Sequence, residues 1–185
     1  PLQEAVSLIN GQGADYLFFT GDLVNDRSDE ALPYMDILSK MGNGKPVFSI
    51  LGNHDYGDYV KWPDETSKKA NLHMMHTIHR EMGWNLLLNE NTILRKGNGE
   101  IAVAGVENWS GSKRFSRYGD LSKAITGIED VPVKLLLTHD PTHWDGEILN
   151  GHSTIAATFS GHTHGMQFGI EMRNFRWSPS PYIYP

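Results

Sequence analysis

Cysteine is absent from the 185 residues, which excludes disulfides and thiolate metal sites. Long apolar runs are also absent, so the sequence predicts neither a membrane span nor a signal peptide. Basic residues are few: 16 Lys and Arg stand against 22 Asp and Glu, for a net charge of −6. That balance argues against binding to duplex nucleic acid and against a polybasic membrane anchor.

The chain length predicts one domain, residues 1–185. Apolar runs with strand-like patterns alternate along the chain with amphipathic helical patterns. The predicted strands cover residues 14–20, 46–51, 86–88, 92–94, 101–106, 133–138, 155–159 and 167–172. The predicted helices cover residues 28–41, 64–82 and 119–125. Strands separated by helices predict an α/β fold made of layers.

Polar side chains follow four of the predicted strands, at the point where each strand ends. These side chains are Asp22, Asn53, His54, His139, His162 and His164. In open α/β sheets, ligands bind beyond the carboxyl ends of strands, so we expect these groups to converge. Imidazole nitrogens together with carboxylate and amide oxygens suit divalent ions such as Mn, Fe, Zn, Mg or Ni. The sequence therefore predicts a divalent metal centre.

These motifs together resemble the calcineurin-like metallophosphoesterase superfamily. The resemblance rests on Gly21-Asp22, Gly52-Asn53-His54-Asp55, His139 and Gly161-His162-Thr163-His164. It spans most of the chain, from near Asp15 to near Ile170. The run at residues 160–167 is most similar to a bacterial branch that includes small phosphodiesterases acting on lipid head groups.

The resemblance implies a four-layer sandwich of two mixed sheets flanked by helices, with two divalent ions at its edge. Asp22 would bridge both ions. The second site would be completed by Asn53, His139 and His162. His164 would belong to the first site. His54 matches the family's non-ligand catalytic histidine, which lies near the leaving-group oxygen.

Three departures from the family pattern stand out. The family's opening Asp-x-His motif supplies two ligands of the first metal, yet no Asp here is followed two residues later by His. We therefore expect an incomplete domain, truncated at the N-terminus and also at the C-terminus, whose second site binds its ion better than the first. Asn25 stands where relatives carry an Asp that orients the catalytic histidine, with Asp26 one residue on, so both are candidate orienting residues. Met166 stands where this branch has Gly.

The resemblance implies a metal-dependent phosphoesterase, foremost for phosphodiesters, in which a hydroxide bridging the two ions attacks phosphorus. The substrate would be a phosphate-ester small molecule or a lipid head group, with no nucleic acid partner. Membrane association would require segments outside this sequence, and a cytoplasmic, periplasmic or membrane-tethered location fits equally. One alternative is a non-catalytic metal- or ligand-binding module on the same fold. Another is a metal-assisted hydrolase of a different bond.

Several other residues are weaker candidates. Three histidines recur at a spacing of three in the predicted helix, which favours a partly exposed helix face over a metal site: His73, His76 and His79. Arg114 and Arg117 are candidate phosphate contacts, because guanidinium groups bind phosphate in a fork geometry. His143 and Trp144 follow His139 closely and are candidates for the border of the pocket.

Overall fold

The computed structural model describes residues 1–152, 154–164, 169–173 and 175–178. Its helices are α1 (Leu2–Asn10), α2 (Met35–Leu38), α3 (Glu65–Glu81), α4 (Leu121–Ala124) and α5 (Leu149–Gly151). Short 3₁₀ helices cover Ser28–Tyr34 and His54–Tyr56, and a π-helical turn covers Trp144–Ile148. Among these described ranges, none of the helices combines the length and the apolar character that crossing a membrane requires.

Nine strands are described. They are β1 (Leu17–Phe19), β2 (Val47–Ser49), β3 (Asn85–Leu86), β4 (Glu90–Lys96), β5 (Gly99–Gly105), β6 (Lys134–Leu137), β7 (Ile155–Phe159), β8 (Ile170–Met172) and β9 (Phe175–Trp177). The first two residues of the predicted strand at 167–172 lie outside the described residues, as do Met166 and the terminal residues 179–185.

The described strands form two principal sheets. The first has the order β1-β2-β3 and is parallel, and the second has the order β4-β5-β6-β7 and is mixed. Antiparallel pairing of β4 and β5 begins at Lys96 opposite Gly99, so the two strands are joined by a tight turn. Strands β8 and β9 pair separately. Parallel pairing brings the carboxyl ends of β1 and β2 to one edge, and those of β6 and β7 likewise.

Alternation along the strands divides the apolar side chains between one inner core and two outer cores. In β1, Phe18 packs in the core between the sheets, while Leu17 and Phe19 pack outward against the cluster that includes α3 residues. In the second sheet, Val103 points inward, and Ala102 and Ala104 point toward α4. Successive strand residues face opposite sides of a sheet. The result is helix, sheet, sheet and helix, which confirms the predicted layered α/β fold.

The predicted helix at residues 28–41 is divided. Residues Ser28–Tyr34 form a 3₁₀ helix that contains Pro33, and α2 begins only at Met35. Proline has no N–H to donate and crowds the preceding turn, so a continuous α-helical ladder is interrupted there. The carboxylate of Glu30 accepts the main-chain N–H groups of Asn25, Asp26 and Arg27 at 2.9, 3.0 and 2.8 Å. This fixes the loop that precedes the 3₁₀ helix.

The three spaced histidines of α3 differ in burial. His73 is exposed and His76 is half-buried, but His79 is 0% exposed. The His79 ring lies edge-on to Phe19 and Trp84, and its Nδ1 is 2.9 Å from Ser49 Oγ. The predicted partly exposed face therefore ends at His79, which belongs to the core.

Acid is expected to destabilise the fold through His79. Burial, and secondly the charge of His76, lower the pKa of His79 to about 4. Because an unfolded histidine titrates near 6.5, only the unfolded chain gains a proton as the pH falls from about 6.5 to about 4. The contribution of His79 to the free energy of unfolding is fully present above this pH window. It declines within the window, by about 2–3 kcal/mol at the lower end.

Denaturant unfolding at the two ends of this window tests the expectation. The variant His79→Gln should lose less stability on acidification than the wild type. His73 is on the same helix but is exposed, so His73→Gln should lose as much stability on acidification as the wild type does. Equal acid sensitivity of all three proteins would contradict the assignment.

Candidate metal centre

The loops that follow β1, β2, β6 and β7 meet at one edge of the sandwich. Main-chain hydrogen bonds join neighbouring strand ends: Ile50 N–H donates to Phe19 O at 3.1 Å, and Gly161 N–H donates to His139 O at 2.9 Å. Asp22, His162 and His164 have positive φ angles of 60°, 66° and 56°. Non-glycine residues held in this region cost free energy and concentrate at functional sites. The strained turns therefore indicate that this edge of the sandwich is a functional site.

Three side chains of this edge form a tight group. The candidate ligand atoms of Asp22, His139 and His162 all lie within 4.8 Å of one another. His139 Nε2 is 3.1 Å from Asp22 Oδ2 and 3.2 Å from His162 Nδ1. The structure thus brings together three of the five metal ligands proposed from the sequence.

The tautomer of His139 is fixed by the main chain. Its Nδ1 lies 2.7 Å from the carbonyl oxygen of Thr20. A carbonyl only accepts hydrogen bonds, so Nδ1 carries the proton, and Nε2 of the neutral ring presents a lone pair to Asp22. A lone pair facing a carboxylate oxygen at 3.1 Å is the arrangement that a cation between them stabilises.

Asn53 carries a buried side-chain oxygen on the loop that follows β2. Its side chain is 3% exposed, and Nδ2 donates to the Tyr59 hydroxyl at 2.8 Å. Within the described part of the chain, Asn53 Oδ1 and Asp22 Oδ2 are buried oxygens without a hydrogen-bond donor. Buried polar atoms are normally paired. An unpaired Asp22 oxygen next to two imidazole nitrogens fits a divalent cation, and Asn53 offers a second unpaired oxygen.

Charge is unevenly distributed over the histidines of the group. Burial opposes the charged form of His139, but the Asp22 carboxylate outweighs it and raises the pKa of His139. Burial likewise opposes ionisation of Asp22, yet the His139 contact lowers the pKa of Asp22. Burial lowers the pKa of His162, which favours the neutral ring that a metal ligand requires. A cation and a second proton compete for the same His139 lone pair.

His164 lies apart from this group. It is exposed, and it lines a cavity of about 560 Å³ together with Asp22 and His54. Among the described residues, its ring is not a member of the 4.8 Å group. The remaining cavity walls are formed by Leu23, Val24, Asn25, Glu30, Pro33 and Tyr34. The cavity therefore opens directly beside the group of candidate ligands.

His54 is placed in the cavity by main-chain contacts. Its N–H donates to Asp22 Oδ1 at 3.1 Å, and its ring Nδ1 is 2.5 Å from the main-chain oxygen of Asn25. The expected orienting partner was a side-chain oxygen of Asn25 or Asp26; here the main-chain carbonyl occupies that position. Every residue type carries this carbonyl, so the side chain at position 25 does not determine the contact.

Asp55 supports the candidate ligand loops, a role that the sequence analysis did not identify. It is 0% exposed, and its carboxylate accepts four main-chain N–H groups. Oδ2 accepts from Asp22 and Gly52 at 2.9 and 2.8 Å, and Oδ1 accepts from Leu23 and Val24 at 2.8 and 3.3 Å. Burial raises the pKa of Asp55 to about 6, although these donors act in the opposite direction. Asp55 ties the Asp22 loop to the Asn53 loop.

The other candidate residues lie around a stack that runs from the exposed Arg117 to the buried His143. Arg117 lies over the Trp109 ring at 4.6 Å, and Trp109 stacks on His143 at 4.4 Å. His143 is 0% exposed, and both its ring nitrogens have partners at 2.9 Å, the Thr138 hydroxyl and a Glu147 carboxylate oxygen. His143 is thus a packed residue rather than a pocket wall. Arg114 is exposed on the same loop.

The chain is 24% identical over 180 residues to Phosphodiesterase YaeI of Escherichia coli (strain K12), covering 96% of this chain and 59% of that protein. The chain therefore spans somewhat more than half the length of this relative.

Solved structures share the fold. The NAD nucleotidase NadN of Haemophilus influenzae matches with a TM-score of 0.59 and 14% identity, over 86% of this chain and 36% of that one. The Thermus thermophilus sulfate thiohydrolase SoxB, in complex with glycerol, matches with a TM-score of 0.53 and 15% identity, over 88% and 33%. The sequence profile of the calcineurin-like phosphoesterases matches residues 1–166, nine-tenths of the chain. The chain belongs to the calcineurin-like phosphoesterase family.

Proposed function

We propose that the chain hydrolyses phosphodiesters with divalent metal ions. The observation that carries the proposal is the group of Asp22, His139 and His162, whose ligand atoms lie within 4.8 Å of one another. Asn53 would add its buried oxygen to the same ion, and His164 would contribute to a second one across Asp22. Membership of the family and the phosphodiesterase YaeI among its relatives support the reaction class.

When bound, a divalent ion supplies charge that holds the phosphate and lowers the pKa of water. His54 acts as the general acid. Its Nδ1–H donates to the Asn25 carbonyl, so Nε2 is the nitrogen that gives a proton to the departing oxygen. Asp22 Oδ1 holds the main chain of His54 at 3.1 Å. The ligand group and the proton donor are therefore fixed relative to one another.

The cavity favours a small ester group. Its volume of about 560 Å³ lies within the range of small-molecule sites. Leu23, Pro33 and Tyr34 add apolar surface to a cavity that is also lined by the polar side chains of Asp22 and His54. The substrate we propose is a phosphate-ester small molecule or a lipid head group, with its phosphate at the ligand group.

A hydrolysis assay on chelator-treated protein tests the proposal. Added Mn²⁺ should restore hydrolysis of bis(4-nitrophenyl) phosphate, and hydrolysis of the monoester 4-nitrophenyl phosphate should be slower. Asp22→Asn should bind Mn²⁺ poorly and hydrolyse neither ester. Tight Mn²⁺ binding by the wild type without hydrolysis of either ester would instead favour a non-catalytic metal-binding module.

Removal of the His54 imidazole is expected to separate chemistry from metal binding. His54→Ala should lower turnover by roughly 10²–10⁴-fold, the usual contribution of a general acid. Its Mn²⁺ affinity, measured by isothermal titration calorimetry, should match that of the wild type because His54 is not a ligand. His73→Ala, an exposed histidine on α3, serves as the control. Weaker Mn²⁺ binding by His54→Ala alone would show that His54 is a ligand.

A further inference from the structure

Asp140 lies on the side of the His162 ring that faces away from the ligand group. His162 Nδ1 is 3.2 Å from His139 Nε2, within the group. The other ring nitrogen, Nε2, is 3.8 Å from Asp140 Oδ2. One nitrogen of His162 thus faces the candidate metal position, and the other faces a carboxylate.

The carboxylate of Asp140 is buried and rigidly held. It is 1% exposed. Oδ1 accepts from the Thr142 N–H at 2.9 Å and from the Thr142 hydroxyl at 2.7 Å, and Oδ2 accepts from the Ser110 hydroxyl at 2.6 Å. Hydrogen bonds to an ionised acceptor are the short, strong ones. The carboxylate is therefore held beside His162 by bonds that do not involve His162, two of them from Thr142.

The two tautomers of neutral His162 differ in what they offer a metal ion. With the proton on Nδ1, the ring donates a hydrogen bond to the lone pair of His139 Nε2. Neither His162 Nδ1 nor His139 Nε2 can then bind a metal ion. With the proton on Nε2, Nδ1 keeps its lone pair. A separation of 3.8 Å is too long for a hydrogen bond, but a carboxylate in a dry site still attracts an N–H dipole.

We propose that Asp140 is a positioning residue that selects the Nε2-protonated tautomer of His162 and so frees Nδ1 for the metal ion. The inference rests on the proposed metal centre. Metal-binding histidines commonly direct their second nitrogen toward a carboxylate, and losing that partner weakens metal binding by roughly 10–100-fold. Phe115 lies edge-on to the His162 ring at 4.9 Å and limits its rotation.

The variant Asp140→Asn should reverse the tautomer preference of His162, although asparagine and aspartate have nearly the same shape. The two Thr142 donors keep the amide oxygen at the Oδ1 position. The amide NH₂ then replaces Oδ2 and faces His162 Nε2, which favours the tautomer protonated on Nδ1. We expect Mn²⁺ binding weaker by roughly 10–100-fold in calorimetry, with a melting temperature of the metal-free protein close to that of the wild type.

Ser110→Ala is the matched control, because it removes one hydrogen bond from Asp140 and leaves the charge. Its Mn²⁺ affinity should stay close to that of the wild type. Long-range ¹H–¹⁵N NMR of the metal-free wild type, with the signal assigned by His162→Gln, should show the proton on Nε2.

A wild-type ring protonated on Nδ1 would overturn the inference whatever the variants do. Undiminished Mn²⁺ affinity in Asp140→Asn, or a loss that Ser110→Ala shares in full, would overturn it too. A wild type that binds no Mn²⁺ would refute the metal centre itself together with this inference. A wild type that binds Mn²⁺ but hydrolyses no ester would leave the affinity and tautomer results valid.

Discussion

Asp55→Asn is expected to weaken both the fold and the metal centre, although asparagine matches aspartate in size. Each oxygen of Asp55 accepts two main-chain N–H groups, from Asp22 and Gly52 on one side and Leu23 and Val24 on the other. An amide keeps one acceptor oxygen and presents two hydrogens in place of the other. Two buried N–H groups then lose their acceptor.

The expected cost follows from the burial of the site. A buried donor left without an acceptor costs about 1–3 kcal/mol, so the substitution should lower the free energy of unfolding by about 2–6 kcal/mol. The loops that carry Asp22 and Asn53 are joined through this carboxylate, so Mn²⁺ affinity should fall as well. Denaturant unfolding and calorimetry at about pH 8, where the wild-type carboxyl is ionised, measure the two effects.

Glu30 offers a matched control for Asp55. Its carboxylate also accepts several main-chain N–H groups, those of Asn25, Asp26 and Arg27. Unlike Asp55, Glu30 is partly exposed, so water replaces the lost acceptor in Glu30→Gln. The cost there should be about 1 kcal/mol or less. Equal losses in the two variants would show that Asp55 has no special role.

The layers of the fold were predictable because apolar periodicity reflects which face of each strand is buried. The runs at residues 46–51 and 133–138 form β2 and β6, and the alternate side chains of each strand divide between the inner core and the outer core of its own sheet. The division of the helix at residues 28–41 was less evident. Proline is compatible with the first turn of an α-helix, but Pro33 lies inside a 3₁₀ segment.

The convergence of the candidate ligands was predictable from their positions at the ends of strands. Each follows a strand, and neighbouring parallel strands end at one edge, so Asp22, His139 and His162 converge. Their supporting contacts were not predictable. Asp55 binds main-chain groups about thirty residues away, and His54 is held by a carbonyl that every residue type possesses. Neither contact leaves a pattern in the sequence.

Gly52→Ala is expected to damage the metal centre by steric contact alone. A Cβ at position 52 would overlap Asp22 Oδ1, and it would lie 2.6 Å from the Asp22 main-chain nitrogen and 2.6 Å from His139 Cε1. Gly52 does not have a positive φ, so alanine meets no backbone strain there. Two candidate ligands must therefore move to admit a single methyl group.

Gly52→Ala should change both stability and Mn²⁺ affinity, whereas alanine at a glycine far from the candidate ligands should change neither. Overpacking of this kind costs about 1–3 kcal/mol of stability. We also expect Mn²⁺ affinity to fall by at least about tenfold, because the displaced ligands no longer have the geometry that metal binding requires. Gly11→Ala is the control: Gly11 has a φ of −66°, and its Cβ would meet nothing closer than 3.4 Å. It should leave Mn²⁺ affinity unchanged. If Gly52→Ala binds Mn²⁺ as tightly as Gly11→Ala does, Asp22 and His139 do not hold the ion together.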